Sequence, residues 1–177
     1  MRKKILTSET PSLRRKSKKV SRVDKKIIAL VKDMKETLRA QKDPEGVGLA
    51  APQIGKNLRI FVVRLSQNKL ITVINPKVLS KSKKSSVDKK EEILEGCLSI
   101  PNLFGPLKRA EKIRIEFLDE KGKKITKEFV GMEAQIVQHE IDHLDGILFV
   151  DKLLARKKPL YKQDKKGEWV EVDFGQK

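Results

Sequence analysis

The sequence predicts an α+β fold, with antiparallel β-strands around a central metal-binding helix and an outer N-terminal helix. Three observations carry that reading. Apolar residues recur at helical spacing in residues 22–41. Alternation in Lys112–Leu118, with Ile113, Ile115 and Phe117 inward, then the turn residues DEKG and a returning segment Lys124–Val130, marks an antiparallel hairpin. A second helical segment, EAQIVQHEIDHLDG at 133–146, carries both histidines of the chain and is apolar on nearly every face, as a helix enclosed within a domain must be.

Residues 1–20 are basic and irregular, with one short strand read at Ile5 and Leu6. Ser21 and Asp24 resemble a capping box, and Ile27, Val31, Met34 and Leu38 repeat on one face, so 22–41 is an amphipathic helix. A polar turn at Lys42–Glu45 leads into GVGLAAPQIG at 46–55. Branched residues bounded by turn formers make Arg59–Arg64 and Ile71–Asn75 a hairpin, and the Lys/Ser-rich stretch Ser80–Glu91 is a solvated loop. ILEGCLSI at 93–100 is a short strand broken by Gly96 and ended by Pro101. Within 133–146, Val137, Ile141 and Leu144 form one apolar stripe while Met132 and Ile136 extend the histidine face. Gly146 stops this helix, and Ile147–Val150 reads as a short strand. Residues 155–167 are basic and loose, and Trp169–Phe174 alternates again as a final strand. No repeat or change of composition divides the chain, so 1–177 is expected to be a single catalytic domain, with flexible ends at 1–4 and 155–167.

Lys and Arg number 41 against 24 Asp and Glu, a net charge of +17. Such a balance favours loose association with polyanions such as ribosomal RNA, or simply a solvated lysine-rich surface. No basic segment is interleaved with aromatics, so specific nucleic-acid readout is unsupported. The longest apolar run, Ile27–Val31, is far too short for a bilayer, and the N-terminus lacks the apolar stretch of a signal peptide. The single Cys97 has no internal disulfide partner and points to a reducing compartment; the expected location is the cytoplasm.

His139 and His143 stand four residues apart, so on a helix both imidazoles reach one ion, with Glu140 beside it as a proton carrier. An isolated HExxH also arises by chance. A catalytic divalent site keeps three protein ligands and an open position. Cys97 is the candidate third ligand, and an inert buried thiol is the bland alternative. A strand edge at Gly96–Cys97 also offers the Leu98 N–H beside the ion.

Three segments, GVGLAAPQ at 46–53, EGCLS at 95–99 and HEIDHLDG at 139–146, resemble in content and order the signature motifs of the peptide deformylase family. ILTSETPSLRRKSKKV near the start, VINP at 73–76 and GILFVDKL at 146–153 extend the resemblance over most of the chain. It implies that Cys97, His139 and His143 hold one divalent metal ion, natively Fe2+, with Zn2+ or Ni2+ as substitutes. It implies Glu140 as general acid and base, and Gln53 with the Leu98 N–H as oxyanion donors. Val47, Gly48 and Gly96 fall where the family pairs with an extended substrate, Ile136 lines the methionine pocket, and Glu95 with Arg109 support the ligands. The substrate implied is the N-formylmethionine of nascent polypeptides, with formate released. Gln135 departs from the arginine or apolar residue expected there, LFG at 103–105 resembles an aromatic-glycine subgroup, and the chain ends in WVEVDF instead of the long helix some members use at the ribosome. Two rival functions share parts of this pattern: an HExxH zinc endopeptidase, and a non-catalytic, basic ribosome-associated protein.

Overall fold

The computed structural model describes residues 1–42, 45–65, 69–85, 94–164 and 166–172. Helix α1 spans Lys25–Arg39, and its N-cap is Asp24, whose carboxylate accepts the Ile27 N–H at 2.9 Å. The helix therefore starts later than the Ser21 reading, because an aspartate can satisfy an orphan amide of the first turn by itself. Ile5 and Leu6 form no strand; the Leu6 N–H makes one 2.8 Å bond to the Gln53 carbonyl.

The first sheet has the order β1-β2-β3-β6-β7, with every pairing antiparallel. Its strands are β1 (Gly48–Ala50), β2 (Ile60–Arg64), β3 (Leu70–Lys81), β6 (Lys112–Leu118) and β7 (Lys124–Val130). Strand β3 runs beyond the expected Asn75 and takes in Ser80 and Lys81, the start of the expected loop. Asn75 sits at φ 53 beside an irregularity in the ladder, and its amide bonds both the N–H and the carbonyl of Val20 at 2.8 Å. That double bond ties the N-terminal segment to the sheet, and Asn tolerates the left-handed backbone better than most residues.

Because strand side chains alternate, β2 serves two cores. Phe61 and Val63 join Ile113, Ile115 and Phe117 against helix α2 (Met132–Leu144), whereas Ile60 and Val62 pack with Val31, Met34 and Leu38 of α1. The sheet is thus covered by α1 on one face and α2 on the other.

The second sheet has the order β4-β5-β8-β9. It contains β4 (Glu95–Cys97), β5 (Ile100–Gly105), β8 (Leu160–Gln163) and β9 (Trp169–Val172). Three expectations are corrected here. The 93–100 segment is two strands separated by a turn at Leu98–Ser99, and Pro101 lies inside β5 instead of ending a strand; Ile93 lies outside the described residues. The segment read as a strand at Ile147–Val150 instead leads into helix α3 (Phe149–Ala155), where Asp151 accepts the Leu148 N–H at 2.8 Å and caps the first turn. The stretch 155–167, read as loose, contains β8, which pairs with β5 through Phe104 and Tyr161. Lys42 and Glu45 form a bridge, while residues 86–91 of the expected loop and 173–174 of the expected last strand lie outside the described residues.

Candidate metal centre and cleft

Helix α2 is enclosed, and Gln135, Gln138, His139, Glu140, Asp142 and His143 are all buried in it. Polar groups at such depth cost free energy unless each meets a partner, and their partners build the site. Gln138 is held by the backbone of Ala110, accepting its N–H at 3.2 Å and donating to its carbonyl at 2.9 Å. Arg109 donates two 2.6 Å bonds to the Glu95 carboxylate and one of 2.9 Å to Asp142. Lys152 of α3 completes the Asp142 pairing at 2.5 Å.

Glu95 in turn lies 2.7 Å from His139 Nδ1. A carboxylate can only accept, so Nδ1 carries the proton and Nε2 presents its lone pair. That nitrogen is 3.1 Å from His143 Nε2, which is 3.2 Å from Cys97 Sγ. All three donor atoms lie within 4.8 Å of one another. Lone pairs aimed at one point repel unless a cation lies among them. Tetrahedral bonds of 2.0–2.3 Å would place such donors roughly 3.3–3.6 Å apart, so the constellation fits a divalent ion. The sulfur also receives the Ser99 N–H at 3.4 Å and Gln53 Nε2 at 3.7 Å.

Electrostatics separate the two imidazoles. Burial opposes charge on His139, but Glu95 and Cys97 outweigh it and raise its pKa well above the usual imidazole range, so a proton competes with a metal ion for the Nε2 lone pair. Burial and the neighbouring His139 push His143 well below that range. For Glu95, burial raises the pKa, yet Arg109 and His139 bring it down to about 2, so the carboxylate stays charged. Glu140 has no such cation against it, and burial raises it to about 7. Its Oε2 has no hydrogen-bond partner among the described residues, nor has His143 Nδ1.

Strand β1 brings two further features. Gly48 passes so close to Glu140 that a Cβ there would fall 2.2 Å from Oε1. The 3₁₀ turn Ala51–Ile54 then places Gln53, whose Oε1 accepts the Ala50 N–H at 2.8 Å. An amide N–H can only donate, so the Gln53 NH2 must face the other way, toward Ser99 Oγ at 3.1 Å and the donor cluster. Ser99 and Asp142 escaped the sequence reading because their roles lie in contacts across the fold, with no spacing signal.

Around this centre is a cleft of about 350 Å³, lined among others by Val47, Gly48, Gly96, Leu98, Ile136 and Glu140. It runs between the outer edges of β1 and β4, each of which pairs with a single strand among the described residues. On the face of β4 the space a Gly96 side chain would take is filled by the Phe104 ring, 2.6 Å from where a Cβ would lie. Gln135 reaches Glu95 Oε2 at 3.4 Å from the same wall.

Residues 2–159 match the family model described as Polypeptide deformylase. The chain belongs to that family. A curated peptide deformylase from Pseudothermotoga lettingae is 41% identical over 179 residues, covering 97% of this chain and 99% of the relative. Crystal structures of peptide deformylases from Legionella pneumophila and Thermus thermophilus superpose with TM-scores of 0.76 and 0.77 at 37% and 40% identity. The first match covers 89% of this chain and 93% of that one; the second covers 88% and 87%. Among the described residues, Cys97, His139 and His143 form a cluster that could hold a metal ion.

Proposed function

We propose that this deformylase removes the formyl group from the N-terminal formylmethionine of nascent polypeptides and releases formate. The observation that carries the reading is the convergence of Cys97, His139 and His143 at the inner end of a cleft bounded by two free strand edges. An ion held by these three side chains would supply Lewis acidity, bringing the pKa of a water toward roughly 7 and polarising the formyl oxygen.

The chain's own residues account for the rest. A peptide laid between the β1 and β4 edges adds a strand, pairing with backbone at Val47–Gly48 and at Gly96, and its methionine side chain enters the cleft beside Ile136. The pairing orients the formyl carbon toward the donor cluster and closes the path upstream of it. Glu140, raised to about 7 by burial, exchanges a proton near neutrality. It takes the proton of the attacking water and delivers it to the amine as the carbon–nitrogen bond breaks. The Gln53 NH2 and Leu98 N–H donate to the developing oxyanion, each worth about 3 kcal/mol in comparable sites. Arg109 and Glu95 act through His139 by holding its tautomer.

Thiolate and imidazole donors suit Fe2+, Zn2+ and Ni2+ alike, and ferrous iron is our assignment for the cell. A net charge of +17 supports loose attraction to the ribosome, where formylated chains emerge in the cytoplasm. No helix is long and apolar enough to cross a membrane. The endopeptidase reading would require a histidine or carboxylate third ligand; among the described residues the candidate third donor beside His139 and His143 is Cys97. Mass spectrometry on matched formyl-Met, acetyl-Met and internally extended peptides tests the function. Formate and a free methionyl terminus are expected from the first. Internal cleavage without formate would sink the assignment.

A further inference from the structure

The chain is poor in aromatic residues, with one tryptophan and one tyrosine, and both sit in the second sheet beside Phe104. Phe104 pairs with Gly96 on one side and Tyr161 on the other, and Trp169 pairs with Gln163, two residues along from Tyr161. Residues directly opposite, and alternate residues of one strand, share a face of a sheet. Gly96, Phe104, Tyr161 and Trp169 therefore form a row on one face, starting at the edge of the cleft. The Phe104 ring leans into the space left by Gly96, and Trp169 meets that ring edge-on, with centroids 5.1 Å apart at 76°. Phe104 lines the cleft, while Trp169 remains 47% exposed.

We propose that Trp169, acting with the Phe104 ring it braces, is a specificity-determining residue that receives an apolar side chain downstream of the formylated methionine. The proposal rests on the strand-addition reading of the cleft. A peptide against the β4 edge puts one residue opposite Gly96, with its side chain on the Phe104 face and its backbone about 4.8 Å from β4. Gly96 offers that side chain nothing to touch. The first surface it meets is the Phe104 ring, against which Trp169, 47% exposed just outside the cleft lining, packs edge-on. A peptide with glycine at these positions gains nothing from the wall.

The test compares formyl-methionyl-leucyl-leucine with formyl-methionyl-glycyl-glycine, which share a backbone. In Trp169→Ala the ratio of kcat/KM between the two should fall roughly two- to tenfold, the range for an aromatic contact, through KM and not kcat. Trp169→Phe should restore most of the ratio. An equal loss on both peptides would make Trp169 a mere fastener of the hairpin, and an unchanged ratio would remove it from the site; either overturns the proposal. Because Trp169 is the chain's single tryptophan, its emission gives a readout independent of turnover. Methionyl-leucyl-leucine should shift that emission and methionyl-glycyl-glycine should not. Absence of formate from both formyl peptides would condemn the proposed function, yet the emission would still decide where the leucine peptide lies; no shift at saturating leucine peptide overturns the inference.

Discussion

Replacing Gly48 with alanine tests whether the position of the Glu140 carboxylate, and not only its presence, sets the rate. The added Cβ would lie 2.2 Å from Glu140 Oε1 and 2.8 Å from its Cδ. An ordinary contact needs about 3.4 Å, so the carboxylate must retreat by about 1 Å. The obstacle is the end of a side chain and not backbone, so the fold yields cheaply; alanine also recovers some of the conformational entropy that glycine loses in a strand. For the chemistry the same shift is costly. A displacement of about 1 Å in a reacting group reduces turnover about a hundredfold, or about 2.7 kcal/mol in the barrier. Steady-state formate release should therefore show kcat down by about two orders of magnitude, with metal content and melting temperature close to the parent's. A double-mutant cycle sharpens the test, because Glu140→Asp withdraws the carboxylate by one methylene and removes the collision. Gly48→Ala should then add little to the defect of Glu140→Asp, a strong departure from additivity. Full additivity, or a metal-loaded Gly48→Ala with parental kcat, would show that the position of the Glu140 carboxylate does not set the rate.

Other outcomes follow from the same geometry. Glu140→Gln should keep the metal and lose at least roughly a hundredfold in turnover; loss of the ion from a folded variant would instead make Glu140 a ligand. Elemental analysis of Cys97→Ala should show metal occupancy collapsed, and full retention would take the sulfur out of the site. Arg109→Met leaves Glu95 buried without its main cation, a loss of about 3–5 kcal/mol, seen as a melting temperature lower by about 10 °C. Glu95 also ties stability to pH. Its folded pKa of about 2 lies below its ordinary 4.5, so its contribution is complete above pH 4.5 and disappears as pH falls toward 2. Denaturant titrations of the parent should show that decline between those limits, and Arg109→Met should flatten it; an equally steep decline in the variant would break the assignment to this ion pair.

Local pattern explains much of the architecture. The 3.6-residue repeat of Ile27, Val31, Met34 and Leu38 needs no tertiary information to specify α1, and the alternation of Ile113, Ile115 and Phe117 specifies both β6 and its buried face. Where local signals are short, context decided. Ile147–Val150 is as apolar as a strand, but the Asp151 cap and the packing of Phe149 and Leu153 beneath the second sheet turn its end into a helix. Leu160–Gln163 carries no strong period and becomes a strand because Tyr161 finds Phe104 beside it.

Residue type and spacing alone name the candidate metal donors, since two histidines at helical spacing and one cysteine are all the imidazole and thiolate donors of the chain. Ligand identity is a matter of residue type and spacing, both of which are local. How those donors are held depends on contacts between distant segments. Glu95 on β4, Arg109 before β6 and Asp142 on α2 are remote in sequence, and their shared charges are tolerable only because the fold buries them together. The approach of Gly48 to Glu140 and the contact of Trp169 with Phe104 are likewise facts of strand order. No periodicity encodes which free edges face each other across a cleft, because that is settled by packing two sheets around one helix.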